Sequence, residues 1–188
     1  MVTLGIVVGS TRPGRMGSQV ARWVQQRAGA RPGLRAELLD LAAIALPFLD
    51  EEQYPAERAY QHQHTLQWSR RVEALDAVVL VTPEYNRSFP APLKNALDFL
   101  YEEWRRKPVG LVGYGMTSTG TRAVAALLPV VTALEMLPAG TVQVPLRERV
   151  DPAGVLRPTA GDDAALDELL DNLLEFTAML RPSRAVAS

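Results

Sequence analysis

Val78–Leu100 reads VVLVTPEYNRSFPAPLKNALDFL, and the change of period along it decides the fold. Val78-Val79-Leu80-Val81 is a short, continuous, mostly β-branched apolar run that ends in a loop. Apolar on both faces, it predicts a parallel strand buried between helix layers. Leu93, Leu97 and Leu100 then fall at i, i+4 and i+7, one face of an amphipathic helix, and Pro90 and Pro92 suit its start. Between strand and helix lies Thr82-Pro83-Glu84-Tyr85-Asn86-Arg87-Ser88, with an aromatic, a carboxylate, an amide and a guanidinium within a few positions. Open α/β sheets bind ligands at such junctions, at the carboxyl ends of their strands. A tight turn on which Tyr85 merely packs is the competing reading, and local chemistry does not separate the two.

Outward from this junction the chain alternates. Val2–Val8 predicts a first buried strand, broken by a Gly/Ser/Arg loop, and a helix through Val20, Ala21, Val24 and Ala28 ends near Gly29. Leu34–Leu41 predicts a second strand, Pro47–Pro55 an acidic loop and Ala56–Leu75 a helix. The helix after the central strand is drawn from Pro92 to Trp104. A fourth strand follows at Pro108–Val112, then the loop Gly113–Gly120 and a helix over Arg122–Leu137, in which Pro129 should force a break or kink. Thr141–Leu146 predicts a fifth strand and Asp162–Leu180 a closing helix. Five short strands alternating with helices give a doubly wound parallel sheet, and right-handed crossovers leave few strand orders. One domain is expected over 1–181, with a frayed, flexible tail over 182–188.

Bulk properties agree with a single ordinary domain: 188 residues, 47% of them apolar, and a formal net charge of -1. That balance argues against disorder and against nucleic acid as a partner. With no cysteine, the chain has no disulfide, thiolate nucleophile, Cys-ligated zinc or iron–sulfur cluster. Its start lacks a basic leader and cleavage site, and no apolar run approaches the ~20 residues that span a bilayer. A cytoplasmic protein without membrane insertion is the expectation.

The loop after the first strand is the second chemical feature. Ser10, Thr11, Arg12 and Ser18 gather hydroxyls and a guanidinium where a helix amino terminus presents free N–H groups, which suits a phosphate. Gly9 and Gly14 have the spacing of a nucleoside triphosphate loop, but Arg15 and Met16 stand where Lys and Ser/Thr are required. The GxGxxG fingerprint also fails, since Thr11 occupies the second glycine position. A site for a monophosphate remains; an ordinary capped turn with a solvated Arg12 is the alternative. Loops leaving strands one, three and four together offer a phosphate site, the flat face of Tyr85, and close approach at Gly113, Gly115 and Gly120 beside Ser118.

Taken together, GSTRPGRMGSQVA, TPEYNRSFPAPLKNALDFL and GYGMTSTGTRAV resemble the NADPH-dependent FMN reductase family over about Val2 to Leu146. The resemblance implies a flavodoxin-like three-layer sandwich, its five-stranded parallel sheet in the order 2-1-3-4-5 with helices on both faces. It implies that Ser10, Arg12 and Ser18 hold the FMN phosphate, with backbone from Met16 and Gly17. Pro83, Glu84, Tyr85 and Asn86 would line the ring and ribityl chain, and Gly115 and Ser118 would border the ring. Met116 and Thr119 depart from the family pattern, where glycines are common, and bear on substrate scope. The implied activity passes hydride from NADPH or NADH through FMN to a quinone, free flavin, azo compound or metal oxyanion, with ping-pong kinetics. The cofactor carries that chemistry, so no catalytic acid or base is nominated. A flavodoxin-like electron carrier without a nicotinamide site and a flavin-free scaffold are the rival functions.

Other residues receive plainer expectations. His62 and His64, two apart in the expected helix, would diverge by about 200° and make poor joint metal ligands. Asp50-Glu51-Glu52 reads as a solvated loop, and Phe48 and Tyr54 as packing residues that could alternatively cover a neighbouring subunit's flavin. Trp23, Trp68 and Trp104 read as core or interface. Apolar residues beyond one stripe, from Ala91 to Trp104, point to a homodimer or homotetramer. For a donor's 2′-phosphate, Arg15 and Arg87 are the candidate cations, with Arg122 further along.

Overall fold

The computed structural model describes the backbone of residues 1–184 and the side chains of residues 1–180. Five parallel strands, β1 (Val2–Val8), β2 (Leu34–Asp40), β3 (Ala77–Pro83), β4 (Pro108–Gly115) and β5 (Leu137–Pro145), form one sheet in the order β2-β1-β3-β4-β5. Helices α1 (Gly17–Gly29), α2 (Leu41–Ile44), α3 (Gln63–Glu73), α4 (Ala91–Asp98), α5 (Thr121–Ala133), α6 (Leu146–Arg149) and α7 (Ala160–Arg184) connect and cover it. The sheet is the flavodoxin-like one expected, with a helix layer on each face.

The central run shows why. Side chains alternate across a strand, so Val79 and Val81 join the core under α1 and α7 while Val78 and Leu80 join the one under α3, α4 and α5. Strand β3 lies between β1 and β4, in register Val7↔Leu80 and Leu80↔Leu111, and must be apolar on both sides. All three tryptophans are buried, each with its indole N–H satisfied: Trp23 by Asp163, Trp68 by Ala96 O and Trp104 by Leu97 O.

Several boundaries differ from expectation, each for a physical reason. The helix expected from Ala56 begins only at Gln63. Before it, the Glu51 carboxylate accepts from the N–H groups of Gln61 and His62, and the Tyr60 hydroxyl donates to buried Glu103, holding that stretch out of a helix. His62 therefore precedes the helix with extended backbone, and its ring stacks on His64 at 5.2 Å rather than diverging from it. Among the described residues no group of three His, Asp or Glu side chains could hold a metal ion. Helix α4 stops at Asp98, short of Trp104, and a series of turns follows. Helix α5 runs on through Pro129 without breaking and ends one turn later, and β5 begins at Leu137, four residues earlier than drawn. The closing helix continues to Arg184, so residues 182–184 are helical where a tail was expected; residues 185–188 lie outside the described ones. None of the described helices is long and apolar enough to cross a membrane.

Candidate functional site

At the carboxyl edge of the sheet, the loops after β1, β3 and β4 come together around a cavity of about 360 Å³. Arg12, Gly14, Arg15 and Met16 supply the first wall, Pro83, Glu84 and Tyr85 the second, and Tyr114, Gly115 and Met116 the third. Leu146, at the start of α6, closes one side.

The first loop leaves β1 through Gly9, whose N–H donates to Val81 O at 2.9 Å. A Cβ at Gly9 would lie 3.0 Å from that carbonyl oxygen, so the close approach needs glycine. Ser10 is fully buried, and its hydroxyl shares a 2.8 Å hydrogen bond with the Tyr85 hydroxyl, tying loop one to loop two. Arg12 points to solvent, its guanidinium without a partner among the described residues. Arg15 is committed: it pairs with Asp40 at 2.6 Å, and Asp40 also caps α2 through Ala42 N–H. Met16 occupies the cap position of α1 with no side-chain cap, leaving the helix amino terminus open towards an anion.

Loop two is a tight hairpin tip. Tyr85 and Ser88 exchange backbone hydrogen bonds of 2.9 and 3.0 Å, and Asn86 and Arg87 between them have φ of 49° and 69°. The Glu84 N–H donates to Tyr114 O at 3.1 Å, extending the sheet by one rung. The Glu84 and Tyr85 N–H groups are thus occupied within the chain, whereas that of Asn86 has no partner among the described residues.

The Glu84 side chain is nearly buried and turns away from loop one. It accepts from the Arg122 N–H at 3.0 Å and its guanidinium at 3.4 Å, clasping loop two to the start of α5. Burial alone would raise this carboxyl; the nearby Ser118 hydroxyl, the Arg122 N–H and the Arg122 charge hold it below the usual range. Loop three can fold back this tightly only because of Gly120. Its φ is 90°, and a Cβ there would sit 2.3 Å from Tyr114 N.

Tyr114 forms the floor. It is 4% exposed, and its hydroxyl, packed beside Ser10 and against Gly17, makes no hydrogen bond of ordinary geometry. Burial first, then the neighbouring Tyr85, pushes its ionisation well above the usual tyrosine range, so it stays a neutral donor. A buried hydroxyl without a partner costs about 1–3 kcal/mol.

Of the eleven residues expected at a site, Arg12, Met16, Pro83, Glu84, Tyr85 and Gly115 line the cavity. Ser10 lies beneath it through Tyr85, and Gly17 lies against Tyr114. Ser18, Asn86 and Ser118 stay off its walls: Ser18 on the first turn of α1, Asn86 at the hairpin tip, Ser118 behind Glu84. Tyr114 and Leu146 were missed, and Arg15, expected as a cation for the donor's 2′-phosphate, lines the cavity but is paired with Asp40. The register Pro83↔Tyr114 could have found Tyr114, since it puts this side chain across from loop two.

The model of NADPH-dependent FMN reductases matches residues 2–151. The chain is similar to an NAD(P)H-dependent FMN reductase of Nectria sp., 31% identical over 180 residues, covering 93% of this chain and 84% of the relative. It is also similar to an NAD(P)H-dependent FMN reductase of Saccharomyces cerevisiae, 36% identical over 162 residues, covering 76% and 84%. Among solved structures, the flavoenzyme NAD(P)H:(acceptor) oxidoreductase FerB of Paracoccus denitrificans superposes with a TM-score of 0.75 at 23% identity, over 94% of this chain and 99% of that one. That superposition speaks to the fold.

Proposed function

This chain belongs to the NADPH-dependent FMN reductase family, and on that premise we propose that it binds FMN among its three loops and passes hydride from NADPH or NADH to a small acceptor. What carries the proposal is one cavity holding two polar groups that the chain leaves without a partner, the Arg12 guanidinium and the buried Tyr114 hydroxyl. A phosphorylated, flat heteroaromatic group suits both the charge and the shape.

Bound FMN would supply the hydride-accepting chemistry that no side chain here possesses. The residues bind and orient. Arg12 and the uncapped start of α1, at Gly17 and Ser18, hold the phosphate, and the Tyr114 hydroxyl donates to it from below. Tyr85, fixed by its bond to Ser10, gives the ring a flat wall, and Pro83 and Gly115 let it approach the backbone. Glu84 and Ser118 act indirectly by locking loops two and three together. Met116, exposed at the cavity mouth, and Leu146 make the open side apolar. That favours an uncharged planar acceptor such as a quinone over a metal oxyanion.

The purified protein should show a flavin absorbance band and oxidise NADPH in the presence of added quinone. Arg12→Ala should weaken FMN binding roughly 10- to 150-fold, the equivalent of about 1.5–3 kcal/mol for a charge-assisted hydrogen bond. An unchanged dissociation constant with the fold intact would remove Arg12 from the site. A parent protein that binds FMN yet oxidises neither dinucleotide would point to an electron carrier instead.

A further inference from the structure

We infer that Arg87, at the tip of the loop-two hairpin, takes a phosphate of the dinucleotide donor; this rests on the reductase function proposed above. The first ground is conformational. Asn86 and Arg87 both have positive φ, 49° and 69°, inside a two-residue turn closed by the Tyr85–Ser88 hydrogen bonds. Such a turn prefers Asn followed by Gly. A long side chain at the second position carries backbone strain that glycine would not, and strained residues of this kind cluster at ligand clamps.

The second ground is electrostatic. Several arginines are paired within the chain, including two of those beside the three loops. Arg15 holds Asp40, Arg122 holds Glu84, and Arg27 and Arg31 reach Asp163, Asp167 and Asp171 across α1 and α7. Arg87 has no partner among the described residues and is exposed at the hairpin tip, two residues beyond Tyr85, which lines the cavity. Of the four arginines on or beside the three loops, two are therefore engaged internally. Arg12 stands in the loop that also presents the α1 terminus, which is enough for one monophosphate. Arg87 is the cation left over. A dinucleotide brings further phosphates to the same mouth, and a guanidinium grips a phosphate through paired hydrogen bonds.

The test uses the FMN-loaded enzyme and the variants Arg87→Gly and Arg87→Lys. In Arg87→Gly, kcat/KM for NADPH should fall about 10-fold or more, with the loss in KM, and Arg87→Lys should recover part of it. If NADH is unaffected, the contact is the 2′-phosphate; if both donors fall equally, it is the pyrophosphate. Either result upholds the assignment. Calorimetric titration with adenosine 2′,5′-bisphosphate gives a readout independent of turnover, and weaker binding by the variant is expected if the 2′-phosphate is the contact. Arg87→Gly should also melt at or above the parent temperature, because the strain is relieved. Unchanged kinetics with both donors would overturn the assignment, as would a loss confined to FMN affinity or to assembly mass. If the parent itself oxidises neither dinucleotide, the reductase function fails and Arg87's role falls with it. A working parent with an unaltered variant refutes Arg87 alone.

Discussion

Tyr114 carries the sharpest conflict between stability and function. Its ring packs in the core under α1, yet its hydroxyl is left without a hydrogen bond beside Ser10 and Gly17. A fold selected for stability alone would favour phenylalanine there, since the orphaned hydroxyl costs about 1–3 kcal/mol. Tyr114→Phe should therefore leave the FMN-free protein as stable as the parent or more so, while weakening FMN roughly 10-fold or more through loss of a hydrogen bond to a charged phosphate. Thermal melting without flavin and a fluorescence titration with FMN measure the two sides separately. A variant that melts lower and binds FMN as before would make Tyr114 a packing residue only. Sequence alone did not reach this residue. Ser10, Arg12 and Tyr85 stand out because their chemistry is concentrated in contiguous loops, whereas Tyr114 matters through its neighbour across the sheet.

At the scale of elements, Glu84 and α5 form a clasp whose strength depends on pH. The folded-state carboxyl is held below its ordinary value, so as pH falls the unfolded chain takes up the proton first. The clasp is then fully present above about 4.5, the ordinary glutamate value, and its stability drains away as pH falls from there through the folded-state value. Arg122 is half exposed, which limits the pair to about 0.2–1 kcal/mol, or roughly 0.4–4 °C in a domain of this size. Glu84→Gln should lower the melting temperature by that amount at pH 7 and by less at pH 3.5. Parallel losses at both pH values would mean the carboxylate charge plays no part. Element types were legible wherever burial imposed a period, as in Val78–Val81 and the Leu93/Leu97 stripe. Boundaries failed where tertiary contacts decided them. Gln61 and His62 read as helix until Glu51 takes their N–H groups, and Leu137 reads as the end of the preceding helix and Pro138-Ala139-Gly140 as no element, although pairing with β4 brings them into β5 through an irregular register at Val109/Gly110.

On the scale of the whole molecule, most of the residues that suggested an oligomer are not available to form it. Leu93, Ala96 and Leu97 of α4, with Phe99, Leu100 and Trp104 in the turns after it, are buried in the chain's own core, while Ala91 stays exposed. The apolar surface lies instead on the segment between α2 and α3, where Phe48 is 85% and Tyr54 78% exposed. This is no loose loop: Asn95 grips it from α4, donating to Pro47 O at 2.7 Å and accepting from Leu49 N at 3.0 Å. Beside it lies a largely apolar cavity of about 490 Å³, with Leu41, Leu46 and Phe48 on one side and Ala91 and Pro92 on the other. An ordered aromatic projection next to an apolar hollow can serve a two-fold interface, in which each copy offers both parts. We expect a homodimer built on this surface. Burying Phe48 in both copies contributes about 1.5–3 kcal/mol each, so Phe48→Asp should weaken association by at least roughly 100-fold. Light scattering and sedimentation at micromolar concentration would then show the parent as a dimer and the variant as a folded monomer. A monomeric parent would exclude the interface, and a variant that stays dimeric would place it elsewhere on the molecule.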